Sequence, residues 1–377
     1  MYTCVVGDLH LGTHRNREDE LISQWIIHRL AGNGVRHLIM NGDTFELAFC
    51  IGGRVEPASH ELVLGKILEE HRALFECIRQ SFDKVTIVVG EHDYLVFNVL
   101  RQMLYNTLGG KLDVVEHHYH SPSRTLVLHG HQFDYNLVHD YSSEEILTDR
   151  LTRVFEQFTF QTPELSRAVM RAFEKQAYSF WYAAGRQPAF IDATCEMFGH
   201  RQEVYYRCMS AILRSDFFKQ WVHRHRNTFN KCVGFLAVPM SIAPWWVLRY
   251  LNRLWWAMAK TIVLKRAKVF LRGGRIASLI DVPPGLPIDR MVVGHAHRYR
   301  RIDFDHAGRQ KTYVNTVSPR WHLVGLRNGE LELHRDEGYV ILGDDGSFNY
   351  HGGRETQMVR VHEAFPESDV PAIAPAS

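Results

Sequence analysis

Five short apolar runs in this chain each end in residues that can hold a metal ion. Val5-Val6 leads into Gly7-Asp8-Leu9-His10, His37-Leu38-Ile39-Met40 into Asn41-Gly42-Asp43, and Val85-Thr86-Ile87-Val88-Val89 into Gly90-Glu91-His92-Asp93. Leu126-Val127-Leu128 runs into His129-Gly130-His131, and Met291-Val292-Val293 into Gly294-His295-Ala296-His297. An acid and an imidazole at i and i+2, as in Asp8 and His10, point to one side of an extended backbone. Two divalent cations held roughly 3.5–4 Å apart can each take a phosphate oxygen and share a hydroxide that attacks phosphorus. Such a pair needs carboxylate and imidazole ligands with one carboxylate common to both ions. Asp8, His10, Asp43, Glu91, His129, His295 and His297 supply that mixture. Mixed oxygen and nitrogen donors accept Mn, Fe, Zn or Co, with Mn favoured here. A single histidine means little in a chain with 23 of them, whereas five strand-terminal clusters in succession point to one site.

The elements that must position these residues alternate. Glu18 to Leu30 carries Leu21, Ile22, Trp25, Ile26 and Leu30 at helical spacing, and Gly32 and Gly34 stop it. A second helix is expected from about His60 to Gln80 and a shorter one near Tyr94 to Tyr105, with strands near Leu112 to Val115 and Arg124 to Leu128. Strands alternating with helices indicate a layered α/β sandwich whose ligands gather beyond the carboxyl ends of the strands. From about Asp140 to Pro287 helical segments replace strands, with candidates at Ser143 to Phe158, Pro163 to Tyr178, Gln202 to Arg214 and Trp245 to Leu271. Short strands then follow at Arg301 to Phe304, Thr312 to Asn315, His322 to Gly325 and Glu330 to His334. The expected division is therefore a core over 1–140 and 288–344, a helical insertion over 141–287, and a disordered tail over 345–377.

Composition narrows the class. With 377 residues, 45% hydrophobic and 23% charged, the chain can bury a sizeable core. A net charge of +2 means that an anionic partner must be met by a local patch. The six cysteines include no C-x-x-C pair, which argues against a zinc knuckle or a stapled secreted fold and for reduced thiols in the cytoplasm. The first strand starts at about Tyr2 and no apolar run reaches roughly 18 residues, so neither a signal peptide nor a membrane span is expected.

The order D-x-H, G-D, G-x-H-D, H and G-H-x-H resembles the calcineurin-like metallophosphoesterase superfamily. That resemblance covers about 1–140 and 290–333, and it implies a metallophosphoesterase β-sandwich flanked by helices. It further implies that Asp8, His10 and His297 hold one ion, that His129 and His295 hold the other, and that Asp43 bridges them. His92 would protonate the leaving oxygen or stabilise its charge, with Asp93 orienting that imidazole. The superfamily has a neutral asparagine where this chain has Glu91. An ionised Glu91 ligand would grip metal harder and phosphate less; alternatively Glu91 faces away, or the fold binds without catalysing.

The insertion bears on the substrate. Between Asp216 and Asp281 there is no acidic residue, while twelve lysines and arginines occur there together with Trp245-Trp246 and Trp255-Trp256. Arg249, Arg253 and Lys260 fall close together on a helical projection. Tryptophan beside arginine and lysine suits the headgroup layer of an anionic membrane, and a cap helix packing its tryptophans on the core is the other reading. With His129-Gly130-His131-Gln132-Phe133-Asp134 and Tyr313-Val314-Asn315-Thr316, the chain is most similar to the bacterial UDP-2,3-diacylglucosamine diphosphatase-like branch. This likeness implies a lipid-linked nucleotide-sugar pyrophosphate as substrate, cleaved at the inner face of the cytoplasmic membrane. A nuclease or nucleotide phosphodiesterase using the basic insertion on nucleic acid stays open, as does a non-catalytic binding protein.

Overall fold

The computed structural model describes residues 1–12, 17–31, 34–45, 57–90, 93, 101–133, 242–273, 282, 285–297, 299–328 and 330–360. Among them the chain is a mixed α/β protein with two sheets. Strands β1 (Tyr2–Val6), β2 (Val35–Asn41), β3 (Lys84–Val88) and β4 (Leu112–Val115) lie parallel and in sequence order. Parallel neighbours need crossovers. These are provided by α1 (Arg17–Trp25), by α2 (Pro57–Glu70) with α3 (Arg72–Ser81), and by α4 (Arg101–Leu108). The second sheet runs in the order β5 (His117–His120), β6 (Thr125–Leu128), β7 (Arg290–Val293), β9 (Arg309–Asn315), β8 (Arg300–His306). Of these, β6, β7 and β9 are parallel.

Strand alternation explains why the two sheets share a core. On the first sheet Cys4, Val6, Leu38, Met40, Val85 and Ile87 pack among Ile22, Leu64 and Phe75 of the helices. The intervening Val5, Ile39 and Val88 pack instead with Val127, Val292 and Val314 of the second sheet. The second sheet's other face, including Leu126, Leu128, Met291, Val293 and Tyr313, meets Ala267 and Leu271 of α5 (Trp245–Leu271). Strands covered on both faces read as continuous apolar runs, which is why the five runs stand out in the sequence. Truncating one such residue, for example Ile39→Ala, costs about 2–5 kcal/mol.

Several elements differ from expectation. The helix expected over His60 to Gln80 is two, dislocated at His71, whose Nε2 donates to Gly12 O at 3.0 Å. Helix α1 ends in a π-helical turn, Ile26–Leu30. The disordered tail expected past Asp344 is corrected: β11 (Glu330–Gly343) turns back into β12 (Phe348–Arg360), and β10 (Val317–Arg327), β11 and β12 extend the first sheet. Gly346 has a φ of 83°, Gly343 N donates to Ser347 O and Ser347 N to Asp345 Oδ1, which closes the hairpin. Aspartate followed by glycine between apolar strands is the signal for such a turn. Residues 361–377 and the helices expected at Ser143 to Phe158, Pro163 to Tyr178 and Gln202 to Arg214 lie outside the described residues.

The chain divides into two compact units. One comprises Met1–Ile146, Lys260–Trp321 and Arg335–Glu355, and all three core clusters lie in it. The other comprises Leu147–Ala259, His322–His334 and Thr356–Ser377. The first unit thus resumes at Lys260, within the span expected to belong to the insertion.

Candidate metal centre

The site is built from loops that leave the carboxyl ends of β1, β2, β3, β6 and β7. Parallel pairing sets Val6 against Met40 and Val127 against Val292, so the loops that follow lie side by side. Asp8 and His10 are not held by extended backbone. Their φ values are 55° and 47°, in the left-handed region, and Asp43, His295 and His297 are there too, at 46°, 61° and 45°. Left-handed backbone at a non-glycine residue is unfavourable, and such residues cluster where a site demands it. Here the neighbouring loop holds it in place: Asp8 N donates to Gly42 O (3.2 Å), His10 N to Asp43 O (2.8 Å) and Leu11 N to Thr44 O (2.9 Å).

Glycines let these loops close on one another. A Cβ on Gly42 would lie 2.1 Å from His129 Nδ1, and one on Gly90 would lie 2.2 Å from Asp43 Oδ1. With only hydrogen there, the side chains of Asp8, His10, Asp43 and His297 offer ligand atoms that all lie within 4.8 Å of one another, a group able to hold a metal ion. The rings of His10 and His297 stack at 5.0 Å. Asp43 Oδ2 stands between two imidazoles, 3.7 Å from His10 Nε2 and 3.1 Å from His129 Nε2. His295 completes the edge, its ring 5.4 Å from that of His129. Six of the seven residues expected as metal ligands are therefore together.

Charge and hydrogen bonding in this group suit a cation. Burial, followed by the Asp43 charge, pushes the Asp8 carboxyl up to about 7 against the pull of His129 and of the His295 amide. Asp8 Oδ1 accepts that amide at 2.9 Å, while Oδ2 is buried and has no hydrogen-bond partner among the described residues. A buried carboxylate that resists ionisation and keeps one oxygen unused is the environment that a cation would neutralise. His129 Nδ1 donates to the Asn41 carbonyl at 3.0 Å, so the proton sits on Nδ1 and Nε2 faces Asp43 with its lone pair. Asp8, His10, Asp43 and His129 are buried, while His295 and His297 are only half-buried, so the centre opens on the β7 side.

Asp93 was expected to orient His92. Its described bonds run to backbone: Oδ2 accepts Thr44 N (2.9 Å) and Gly90 N (3.3 Å), and Oδ1 accepts Phe45 N (2.7 Å). It clamps the loop bearing Asp43 to the loop after β3. Burial and the Asp43 charge push its carboxyl up to about 7. Glu91 and His92 lie outside the described residues. His131 is buried beside His129, with rings 5.6 Å apart. Two contributors escaped sequence reasoning: the Asn41 carbonyl, which is a backbone group, and Ser318, whose hydroxyl donates to Asp8 O. Only the approach of β10 to the Asp8 loop reveals the second.

No family model matches the chain, and neither does any curated protein.

Proposed function

We propose that this chain is a two-metal-dependent hydrolase of phosphoester or pyrophosphate bonds, built as a metallophosphoesterase-type sandwich with a large helical insertion. The observation that carries the reading is the Asp43 carboxylate set between His10 and His129, with Asp8, His297 and His295 around it. One carboxylate oxygen facing two imidazoles from different strands would suit a ligand shared by two ions. Asp8, His10 and His297 would hold one ion and His129 and His295 the other, the second with Glu91. When bound, a pair of divalent cations supplies Lewis acidity toward phosphoryl oxygens and an activated water.

The protein's own residues do the rest. Asn41 keeps the His129 proton on Nδ1 and so turns the Nε2 lone pair toward Asp43. The His295 amide occupies Asp8 Oδ1 and leaves Oδ2 for a cation. Asp93 holds the Asp43 loop in register with the His92 loop, from which His92 would deliver a proton to the leaving oxygen. The best substrate class is a lipid-linked nucleotide-sugar pyrophosphate, supported by the basic, tryptophan-rich stretch between Asp216 and Asp281.

Metal analysis joined to a hydrolysis screen tests this reading. The purified protein should carry divalent metal that is lost in Asp43→Asn, and should cleave a lipid nucleotide pyrophosphate better than bis-nitrophenyl phosphate or single-stranded DNA. A folded protein that binds no Mn, Fe, Zn or Co overturns the centre. Preferential cleavage of DNA would keep the centre and replace the substrate.

A further inference from the structure

Helix α5 and the turn before it leave large apolar side chains in solvent. Ile242, Trp246, Tyr250 and Leu254 are 78%, 62%, 66% and 44% exposed, while Leu248 between them is 1% exposed. Trp246, Tyr250 and Leu254 recur every fourth residue of the helix, close to the helical repeat, so they form one stripe opposite buried Leu248, and Ile242 stands exposed in the turn just before the helix. A surface helix ordinarily turns polar residues outward; here the outward side is aromatic and aliphatic.

Its charge is as one-sided as its polarity. Over Trp245–Leu271 the helix carries Arg249, Arg253, Lys260, Lys265, Arg266 and Lys268 and no acidic residue. The acid-free stretch around it runs from residue 217 to residue 280. No helix among the described residues is long and apolar enough to cross a membrane, α5 included. A helix that cannot span, exposes tryptophan, tyrosine and leucine in line, and carries only positive charge has the makeup of an interfacial segment. Trp and Tyr place an apolar ring at headgroup depth and keep a polar tip in water, and lysine and arginine meet lipid phosphates. Against nucleic acid the stacking rings would suffice, but the aliphatic Ile242 and Leu254 would find no partner there.

We propose that the Trp246, Tyr250 and Leu254 stripe, with Ile242 in the turn before it, docks this protein on the surface of an anionic lipid bilayer. Trp246 and Tyr250 enter the headgroup layer, Ile242 and Leu254 reach the acyl boundary, and the positive charge of the helix, offset by no acid along it, sets the preference for anionic lipid, although Arg266 and Lys268 themselves turn to Phe133 and Phe304. This docking is independent of the hydrolytic reading, because it is measured without substrate or metal turnover.

The test is sedimentation of the full chain with phosphatidylcholine vesicles, with and without phosphatidylglycerol. Binding is expected to the anionic vesicles only and to weaken as salt rises. The triple variant Trp246→Ser, Tyr250→Ser, Leu254→Ser should lose about tenfold or more in partitioning. Leu62→Ser, at a 62% exposed position on α2, should bind as the parent does. Trp246→Phe, which keeps the shape, supplies a second measurement. Brominated phosphatidylglycerol vesicles should quench the parent's tryptophan emission, and most of that quenching should vanish in Trp246→Phe. Equal binding to neutral vesicles, unchanged binding of the folded triple variant, or unchanged quenching in Trp246→Phe overturns the proposal. So does a triple variant that loses only self-association in ultracentrifugation, which would make the stripe a contact between copies, or only a shift of single-stranded DNA. A soluble short-chain phosphatidylglycerol that binds the stripe as well as vesicles do would assign it to single lipids and refute bilayer docking.

Discussion

Asp43→Asn should make the metal-free protein more stable and the metal-loaded protein less stable. Asp43 sits buried with Asp8, their ligand oxygens within 4.8 Å of one another. At that separation two unit charges repel by about 3.5 kcal/mol at an effective dielectric of about 20. Asp8, pushed up to about 7, is roughly half ionised at neutral pH, so the relief on removing the Asp43 charge is about 2 kcal/mol. The substitution also suits the local hydrogen bonding, since an asparagine NH2 can donate to the His129 Nε2 lone pair where Oδ2 now stands at 3.1 Å. Metal reverses the order. A ligand present at 100 times its Kd stabilises the parent by about 2.7 kcal/mol, and a variant without the Asp43 carboxylate is expected to forgo most of that. Thermal unfolding of parent and variant, first in chelator and then in excess Mn, should therefore show the two curves exchanging places. A variant that melts below the parent in chelator would mean that Asp43 holds the fold by its own hydrogen bonds, and the shared-ligand argument would fail.

Three further outcomes are expected. Gly42→Ala sets a Cβ 2.1 Å from His129 Nδ1 at a φ of 77°. Left-handed strain and the lost Asn41 contact together should cost about 2–4 kcal/mol in urea unfolding and should lower metal affinity. His92→Ala should slow esters with poor leaving groups by about 10²–10⁴ while nitrophenyl esters lose much less, and equal losses would make His92 a positioning group. For pH, burial holds His37 near 3 and His118 near 4, so the unfolded chain takes up protons below about 6.5 that the folded chain refuses. Each contributes stability that is lost as pH falls through that window, by about 1.4 kcal/mol per unit. Asp8 and Asp93, raised to about 7, act with the opposite sign between about pH 4 and 7 in metal-free protein. In chelator the two effects offset. His118→Gln should unbalance them, so that its metal-free stability rises relative to the parent's as pH drops from 6.5 to 4, which denaturant titrations at several pH values would measure.

Sequence alone was enough to place the site on strand ends. Apolar runs such as His37-Leu38-Ile39-Met40 are legible because strands covered on both faces need few polar residues, and the ligands follow each run directly. The span of α5, Trp245–Leu271, and strand β4, Leu112–Val115, were legible for similar reasons of period and length. Strand β5, His117–His120, was not, because four polar or aromatic residues at a sheet edge show no apolar pattern. The β11–β12 hairpin hid behind a chain end whose composition suggested disorder, although Asp345-Gly346 was present to mark its turn.

What the sequence determined by itself is therefore the identity and order of the candidate ligands, since residue type and distance from a strand are local properties. Tertiary structure decided which of them meet. That Asp43 Oδ2 faces both His10 and His129 depends on two sheets closing around Val5, Ile39, Val127 and Val292, residues far apart in the chain. The left-handed backbone at Asp8 and His10 likewise exists only because the loop after β2 bonds to it. The sequence predicted a basic stripe on α5, but the exposure of Trp246 and Tyr250 beside buried Leu248 emerged only from packing, because spacing assigns residues to faces and not faces to solvent.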